Sequence, residues 1–340
     1  MARSISSRTV PGELALIAAI RRQASFFRSS ALRLGIGDDC AILRPKPGYE
    51  ICVTTDFTLE RVHFRREWHP PQSVGHRCLA RGMSDLAAMG AEPLAVFLSL
   101  ALPKRLPASW LERFLEGFLA LARKHRVSLA GGDTAQSPSV SKQHDGLIAA
   151  DIVAIGQIPL GKALLRSGAR PGDLIYVTGA LGGAAAELTA LSKDPRKFDK
   201  LTKAAPGHPH LYPEPRLAVG RRLRGLADAL IDVSDGLSTD LTHLCKESGM
   251  SATLKEADLP IHPLAAESSD SLNLALHGGE DYELLFTAPP TARLPRAISG
   301  VPIHRIGTIS RPTGRASSIL LITADGHRVP VTPGGWEHFG

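Results

Sequence analysis

The sequence has few cysteines and no apolar run long enough to cross a membrane. Its four cysteines, Cys40, Cys52, Cys78 and Cys245, show no paired spacing of the kind found in disulfide frameworks or zinc sites. This spacing favours a cytoplasmic protein with reduced thiols. The longest apolar stretch, residues 94–102, falls short of the roughly 20 residues that span a bilayer, so we expect no membrane segment.

Aromatic residues are also scarce, at 5% of the 340 residues, and the formal net charge of +7 is spread along the chain. A surface for single-stranded nucleic acid needs a basic stripe interleaved with aromatic rings, so we expect no nucleic-acid partner. A mildly basic surface is enough to attract anionic nucleotides. The composition is that of an ordinary globular protein, and the length suggests about two domains.

The common nucleotide-binding motifs are missing as well. No Gly-x-x-x-x-Gly-Lys-Ser/Thr loop occurs, and neither the His-Arg-Asp nor the Asp-Phe-Gly motif of protein kinases is present. A nucleotide would therefore have to be held in another way.

What the sequence does have is six short acidic segments that place Asp or Glu beside Gly, Ser or Thr. Taken singly, each Asp also fits turn formation or helix capping. Several follow strand-like runs, and most lack an adjacent Lys or Arg, so we expect them to gather where strands end. Carboxylates gathered there repel one another unless cations hold them, and Mg²⁺ is held by a few carboxylates together with phosphate oxygens. The pattern predicts a Mg²⁺-dependent enzyme that acts on phosphate. The segments are Gly37-Asp38-Asp39, Thr54-Thr55-Asp56, Ser84-Asp85, Gly131-Gly132-Asp133-Thr134, Asp232-Val233-Ser234-Asp235-Gly236 and Gly278-Gly279-Glu280-Asp281.

Hydrophobic periodicity predicts two α/β units. The Gly182-Gly183 entrance of one helix fits either a phosphate site or close helix packing, and Asp85 falls inside a helix. Residues 138–146 and 193–215 are predicted to be surface connections. Helices are expected over residues 13–27, 72–89, 109–125 and 215–226 and from 238 onward, and strands over 51–55, 94–102, 127–130, 147–158, 174–178 and 229–233 and within 301–339.

The acidic segments and their surroundings resemble the thiamine-monophosphate kinase family. This family belongs to the superfamily that includes aminoimidazole ribonucleotide synthetase, selenophosphate synthetase and a hydrogenase maturation protein. Beyond the acidic segments, which extend to Tyr282-Glu283-Leu284, the matching stretches are Gly35-Ile36, His63-Phe64, Arg166-Ser167-Gly168-Ala169 and Gly335-Trp336-Glu337-His338-Phe339.

The resemblance implies an α/β fold with two domains of the aminoimidazole ribonucleotide synthetase-like type, in which helices flank mixed sheets. Residues 1–158 would carry the metal and ATP site and the sheet through which a homodimer forms, and residues 159–340 would complete the ATP and substrate site. The implied reaction is direct in-line transfer of the γ-phosphate of ATP to thiamine monophosphate, assisted by several Mg²⁺ ions. No phosphoenzyme forms, so no catalytic side chain is predicted.

The resemblance also assigns site residues one by one. A carboxylate and an aromatic face suit the cationic thiazolium ring, and a guanidinium can form paired hydrogen bonds to phosphate oxygens. The implied Mg²⁺ ligands are Asp39, Thr54, Thr55, Asp56, Asp85, Asp133, Asp232 and Asp235. The implied ATP contacts are Gly131, Gly132, Asp133, Arg166 and Ser234, and the implied substrate contacts are His63, Glu280 and Trp336.

Other interpretations remain open at this point. His63 and Arg166 also fit ordinary surface residues, and Trp336 fits a tail anchor packed on the core. A selenophosphate synthetase would need a reactive cysteine before Gly35, and the sequence has none there. A catalytically silent metal-binding or nucleotide-binding regulator would be expected to lack a ligand, whereas every acidic position is filled.

Overall fold

The structure is a computed structural model that describes residues 12–24, 27–139, 145–205, 207–314 and 317–337. The chain divides into two compact units. Unit 1 comprises Met1–Gly82, Pro93–Gln157 and Leu191–Ala205, and unit 2 comprises Met83–Glu92, Ile158–Ala190 and Pro206–Gly340. In the described part of the chain, no helix is both long and apolar enough to span a membrane.

Unit 1 is built on a four-stranded sheet in the order β3-β6-β4-β5, in which β4 and β5 are parallel. A small antiparallel pair, β1 and β2, accompanies it. The elements in chain order are α1 Glu13–Ala24, β1 Leu32–Leu34, β2 Ile42–Leu43, β3 Tyr49–Leu59, α2 Pro71–Ala88, β4 Glu92–Leu102, α3 Ala108–His125, β5 Ser128–Gln136 and β6 Ala149–Pro159.

The core of unit 1 depends on apolar residues at helical spacing in α3. Trp110, Phe114 and Phe118 recur every fourth residue and therefore share one face of the helix. Their rings are stacked, with centroids 5.6 Å apart for the first pair and 6.5 Å for the second. All three are buried.

Unit 2 is built on a larger mixed sheet in the order β14-β13-β9-β12-β7-β10-β8, with β11 paired to β12. Neighbouring strands are antiparallel except β13 and β9, which are parallel. The elements in chain order are β7 Leu174–Thr178, α4 Gly183–Lys193, α5 Leu217–Leu223, β8 Ala229–Val233, α6 Leu237–Ser248, β9 Ser251–Lys255, α7 Pro263–Ala266, α8 Ser271–His277, β10 Glu283–Ala288, β11 Ala297–Ile298, β12 Val301–Ser310, β13 Ile319–Ile322 and β14 Arg328–Val331.

The predicted helices and strands are largely confirmed, but several boundaries were wrong. Thr54-Thr55-Asp56 lies within β3, and Gly131-Gly132-Asp133 lies within β5, so neither segment follows the end of its strand. Glycine suggested that β5 ends early, but pairing with β4 carries the strand through to Gln136. The helix expected over 215–226 spans only Leu217–Leu223, because Arg224 has a ψ of 123° and Gly225 has a φ of +77°, neither of which a helix accepts.

Two other predicted segments lie partly outside the described residues. Helix α1 ends at Ala24, and residues 25 and 26 of the predicted helix lie outside the description. The same holds for residues 140–144 of the predicted surface turn.

Helices α2 and α3 approach each other through two glycines. A Cβ atom at Gly75 would overlap the Phe114 carbonyl, and one at Gly117 would overlap the Gln72 carbonyl. The crossing therefore brings backbone against backbone, with no room for a methyl group.

We expect Gly117→Ala to lower the free energy of unfolding by about 1–3 kcal/mol, because a rigid backbone must shift to admit the new methyl group. Urea denaturation measures the change. Ala120→Ser adds one atom on the exposed side of the same helix and should stay within about 0.5 kcal/mol of the original protein. Equal effects of the two substitutions would contradict the close crossing.

Candidate active site

The best-defined part of the candidate site is the loop between β8 and α6 in unit 2. The backbone N–H groups of Ser234, Asp235 and Gly236 all donate to Oδ2 of Asp240, at 3.0, 3.1 and 3.1 Å. Asp240 is buried in the first turn of α6. One carboxylate oxygen therefore fixes the backbone that carries two predicted site residues.

Negative charge accumulates around this loop. Burial, together with the negative charges of Asp232 and Asp235, raises the pKa of Asp240 to about 8. Asp232 is itself buried, and Ser84 donates its hydroxyl to Asp232 Oδ2 at 2.6 Å. Asp85 follows Ser84 within α2, as predicted. Such a group of acids favours a cation nearby.

No set of three or more His, Cys, Asp or Glu side chains within the described residues has the arrangement of a finished metal site. The carboxylates of unit 2 thus lie near one another without yet forming a coordination shell. Their individual roles as ligands stay predictions.

The segment around Glu280 is joined to the same loop by backbone hydrogen bonds. Glu280 N–H donates to the Ser234 carbonyl, and Tyr282 N–H donates to the Val233 carbonyl, both at 2.8 Å. Glu280 and Tyr282 have φ values of +67° and +51°, a left-handed conformation that costs a side-chain-bearing residue about 1–3 kcal/mol. The side chain of Glu280 lies 3.2 Å from Nδ1 of the buried His210.

The neighbouring Asp281 decides between the two interpretations of the Gly182-Gly183 helix entrance. Its carboxylate accepts the N–H groups of Gly182 at 2.6 Å and Ala184 at 3.0 Å, so it caps α4. A Cβ atom at Gly183 would come within 2.5 Å of the His262 ring. The glycines therefore serve close packing and capping by a side chain, and not a phosphate.

Trp336 is held beside the β8–α6 loop. The backbone N–H of Trp336 donates to the Asp235 carbonyl at 3.2 Å, and 54% of the residue's surface is exposed. The tail-anchor interpretation therefore holds for the backbone but not for the indole. Unit 2 thus brings together Ser234, Asp235, Glu280 and Trp336.

Arg166 is not part of this group. Its carbonyl accepts the hydroxyl of Ser248, the last residue of α6, whereas Asp235 precedes the first residue of that helix. A helix of 12 residues is about 18 Å long. Arg166 and Ser234 could therefore contact the same ligand only if the Arg166 side chain reaches toward the loop and the ligand is itself extended.

In unit 1, tertiary structure supplies the basic neighbour that the sequence around Asp56 lacks. Arg81 on α2 forms an ion pair with Asp56 at 3.2 Å, although no Lys or Arg adjoins Asp56 in the sequence. His63 is tied into the turn after β3, because its Nδ1 accepts the Leu59 N–H at 3.0 Å. It is therefore not an ordinary surface histidine.

The predicted ligands on β3 and β5 lie at opposite edges of the four-stranded sheet. Three strand spacings separate them, about 14 Å. Within one chain, Thr54, Thr55 and Asp56 therefore do not meet Asp133 at one ion. Asp39 is exposed, and its N–H donates to the Asp38 side chain at 2.9 Å.

Strand β5 has an irregular backbone just before Asp133. Its register with β4 shifts between Val96 and Phe97, which leaves Ala130 unpaired and turns the following residues. Gly132 has a φ of +151°, and a Cβ atom there would overlap the Leu98 carbonyl. Only glycine fits at this position. Asp133 is exposed, and its Oδ1 accepts the Thr134 N–H at 2.8 Å.

Sequence reasoning missed three residues that shape the site. Asp240 could have been found from the sequence, since an acidic side chain in the first turn of a helix interacts favourably with the unpaired N–H groups there. His210 and Arg216 have no such sequence signal. Arg216 forms a buried ion pair with Glu283, which also accepts the Thr178 hydroxyl at 2.6 Å.

Comparison with known proteins agrees with this architecture. The model described as "AIR synthase related protein, N-terminal domain" matches residues 37–158, and the one described as "AIR synthase related protein, C-terminal domain" matches residues 170–314. The chain is thus a two-domain protein of the AIR synthase related class, and the predicted fold class is confirmed.

Individual relatives narrow the class to one family. The chain is 38% identical over 342 residues to the thiamine-monophosphate kinase of Escherichia coli (strain K12), with 96% of this chain and 98% of that protein aligned. The crystal structure of thiamine-monophosphate kinase from Stenotrophomonas maltophilia K279a has a TM-score of 0.76 at 34% identity and covers 95% of this chain and 99% of that one. AaThiL complexed with AMPPCP and TMP has a TM-score of 0.73 at 29% identity, with coverages of 96% and 97%. The chain belongs to the thiamine-monophosphate kinase family and is a phosphotransferase.

The capping carboxylate of Asp281 predicts a pH-dependent stability. Burial raises its pKa from 3.8 to about 7. The folded state then keeps a proton that the unfolded chain releases above about pH 4, so this group makes the fold less stable as the pH rises from 4 to 7. Asp281→Asn cannot ionise. We expect the unfolding free energy of the variant minus that of the original protein to increase by about 1–4 kcal/mol over this window. Urea denaturation at pH 4 and pH 8 measures it, and a constant difference would contradict the assignment.

Proposed function

We propose that this chain transfers the γ-phosphate of ATP directly to thiamine monophosphate and releases ADP and thiamine diphosphate. The observation that carries the proposal is the set of hydrogen bonds that tie Glu280 to Ser234 and Trp336 to Asp235. They join the predicted acceptor contacts to the predicted metal and ATP contacts. The ligands of AaThiL, AMPPCP and TMP, support ATP and thiamine monophosphate as the two substrates.

The acceptor side follows from the chemistry of two side chains. The carboxylate of Glu280 attracts the positive thiazolium ring, and the exposed indole of Trp336 offers an aromatic face to the same cation. His210 holds Glu280 at 3.2 Å and thereby limits its orientations. His63 remains a predicted contact from unit 1.

The phosphate side rests on hard oxygen donors, which are the ligands that Mg²⁺ prefers. The donor set fits, because Asp232 and Asp235 lie close enough to raise the pKa of Asp240. Bound Mg²⁺ would neutralise the charge on the phosphate oxygens. Asp240 fixes the loop backbone, and Ser84 orients Asp232.

We further propose that two chains form the working enzyme. The predicted ligands on β3 and β5 lie at opposite edges of one sheet, and a second copy of this sheet can place β3 of one chain beside β5 of the other. The outward face of β3 carries Val53 and Phe57, each 58% exposed, on either side of the exposed Thr55. Exposed apolar side chains of this size on one face favour association.

The activity test measures ADP release with ATP, Mg²⁺ and thiamine monophosphate, with thiamine and pyridoxal as alternative acceptors. We expect release only with thiamine monophosphate, and we expect Asp133→Asn to lower kcat about 100-fold because a phosphate-side ligand is lost. Asp199→Asn changes an exposed carboxylate of the same unit and should leave kcat unchanged. The absence of acceptor-dependent ADP release would favour a catalytically silent nucleotide-binding module.

Mixing two inactive variants tests the shared site. If Asp56 of one chain works with Asp133 of the other, a dimer of Asp56→Asn with Asp133→Asn regains one intact site. Random reassortment should then restore about a quarter of the original activity. Neither variant alone should be active. If the mixture stays inactive although mixed dimers form, both ligands act within one chain.

A further inference from the structure

Near the end of the described part of unit 2, residues 334–336 form a strap along the start of α6. Three successive N–H groups bind it there. Gly334 donates to Ser238 Oγ at 3.4 Å, Gly335 donates to Thr239 Oγ1 at 3.2 Å, and Trp336 donates to the Asp235 carbonyl at 3.2 Å. The strap thus lies on the loop that carries Asp235.

The strap fits so closely that its glycines are required. A Cβ atom at Gly335 would overlap the Asp235 carbonyl and come within 2.7 Å of Thr239 Oγ1. At Gly334 it would come within 2.7 Å of the His277 ring. The Asp235 carbonyl belongs to the backbone, and the His277 ring is hydrogen-bonded to Ser238, so the strap would have to move away.

The Ser238 hydroxyl, which accepts the Gly334 N–H, is itself held in one orientation. Ser238 Oγ lies 2.8 Å from His277 Nδ1. Burial lowers the pKa of His277, so its neutral ring can accept the Ser238 proton, which turns the oxygen lone pairs toward the strap. Each acceptor of the strap is therefore held by α6 or by the loop before it.

Fixing the backbone at Trp336 restricts the indole, because tryptophan has only two side-chain torsions. Trp336 is more than half exposed, although tryptophan has the largest of the apolar side chains. An exposed aromatic ring on a fixed backbone costs little entropy when a ligand stacks on it.

We propose that Gly335, Thr239 and Ser238 are positioning residues that hold the Trp336 indole as a platform for the cationic ring of the acceptor. The inference rests on the proposed function, and it assigns a role to the strap that the acceptor contact alone does not require. It also explains why a glycine precedes Trp336: any side chain at 335 would detach the platform from the Asp235 loop.

The experiment compares Gly335→Ala with Gly314→Ala, which makes the same chemical change in open space within the same unit. Gly335→Ala should raise KM for thiamine monophosphate about tenfold and leave KM for ATP unchanged, since the platform touches only the acceptor. Thr239→Val should raise the same KM by a smaller factor, and Thr239→Ser, which keeps the hydroxyl, should restore it. Gly314→Ala should match the original protein.

Fluorescence provides a readout that does not depend on turnover. Trp68, Trp110 and Trp336 are the tryptophans of the chain. Subtracting the emission of Trp336→Phe isolates the signal of Trp336. Gly335→Ala should lower the anisotropy of this signal and increase its quenching by acrylamide, whereas Gly314→Ala should change neither.

The outcomes separate the two proposals. If Trp336→Ala raises the acceptor KM while Gly335→Ala changes neither KM nor fluorescence, the strap does not position the indole and the kinase proposal stands. If the original protein shows no acceptor-dependent ADP release, the kinase proposal fails. The fluorescence comparison then still decides whether the strap holds Trp336. If circular dichroism shows that Gly335→Ala only unfolds the protein more easily, and the Trp336 fluorescence of the folded variant is unchanged, the positioning role is overturned.

Discussion

The candidate site in unit 2 depends on one carboxylate oxygen that accepts three consecutive backbone N–H groups. Asp240 closes the loop between β8 and α6 in this way, and buried N–H groups that lose their acceptor cost about 1–3 kcal/mol each. Because the acceptor sits on the first turn of α6, the loop and the helix form one rigid element. These three hydrogen bonds fix the backbone conformation at Ser234 and Asp235.

Two further segments are built onto this element through its carbonyl groups. The Ser234 carbonyl holds Glu280 in a left-handed conformation, and the Asp235 carbonyl holds Trp336. The buried pair of Arg216 and Glu283 supports the strand that follows Glu280. The N–H groups of this loop are used by its own helix, and its carbonyl groups are thus available to hold Glu280 and Trp336.

Much of the architecture could be predicted because local patterns carry it. The aromatic residues of α3 recur at helical spacing, and β7 and β8 were predicted at their observed boundaries. The errors come from pairing that sequence does not display. Gly131 and Gly132 suggest the end of a strand, but β4 extends a ladder across them, and Asp56 lacks a basic neighbour in sequence but finds Arg81 on a helix 25 residues later.

The sequence alone determined the family, because short acidic segments with glycine and hydroxyl neighbours are specific when they occur together and in order. It also indicated a phosphotransferase, since the resemblance carried by these segments implies transfer of a phosphate group. Which of the predicted site residues meet depends on the folded arrangement of the chain. Strand order separates β3 from β5 at opposite sheet edges, and hydrogen bonds between segments far apart in the chain join Ser234, Glu280 and Trp336. Such contacts depend on the path of the backbone, which no local pattern encodes.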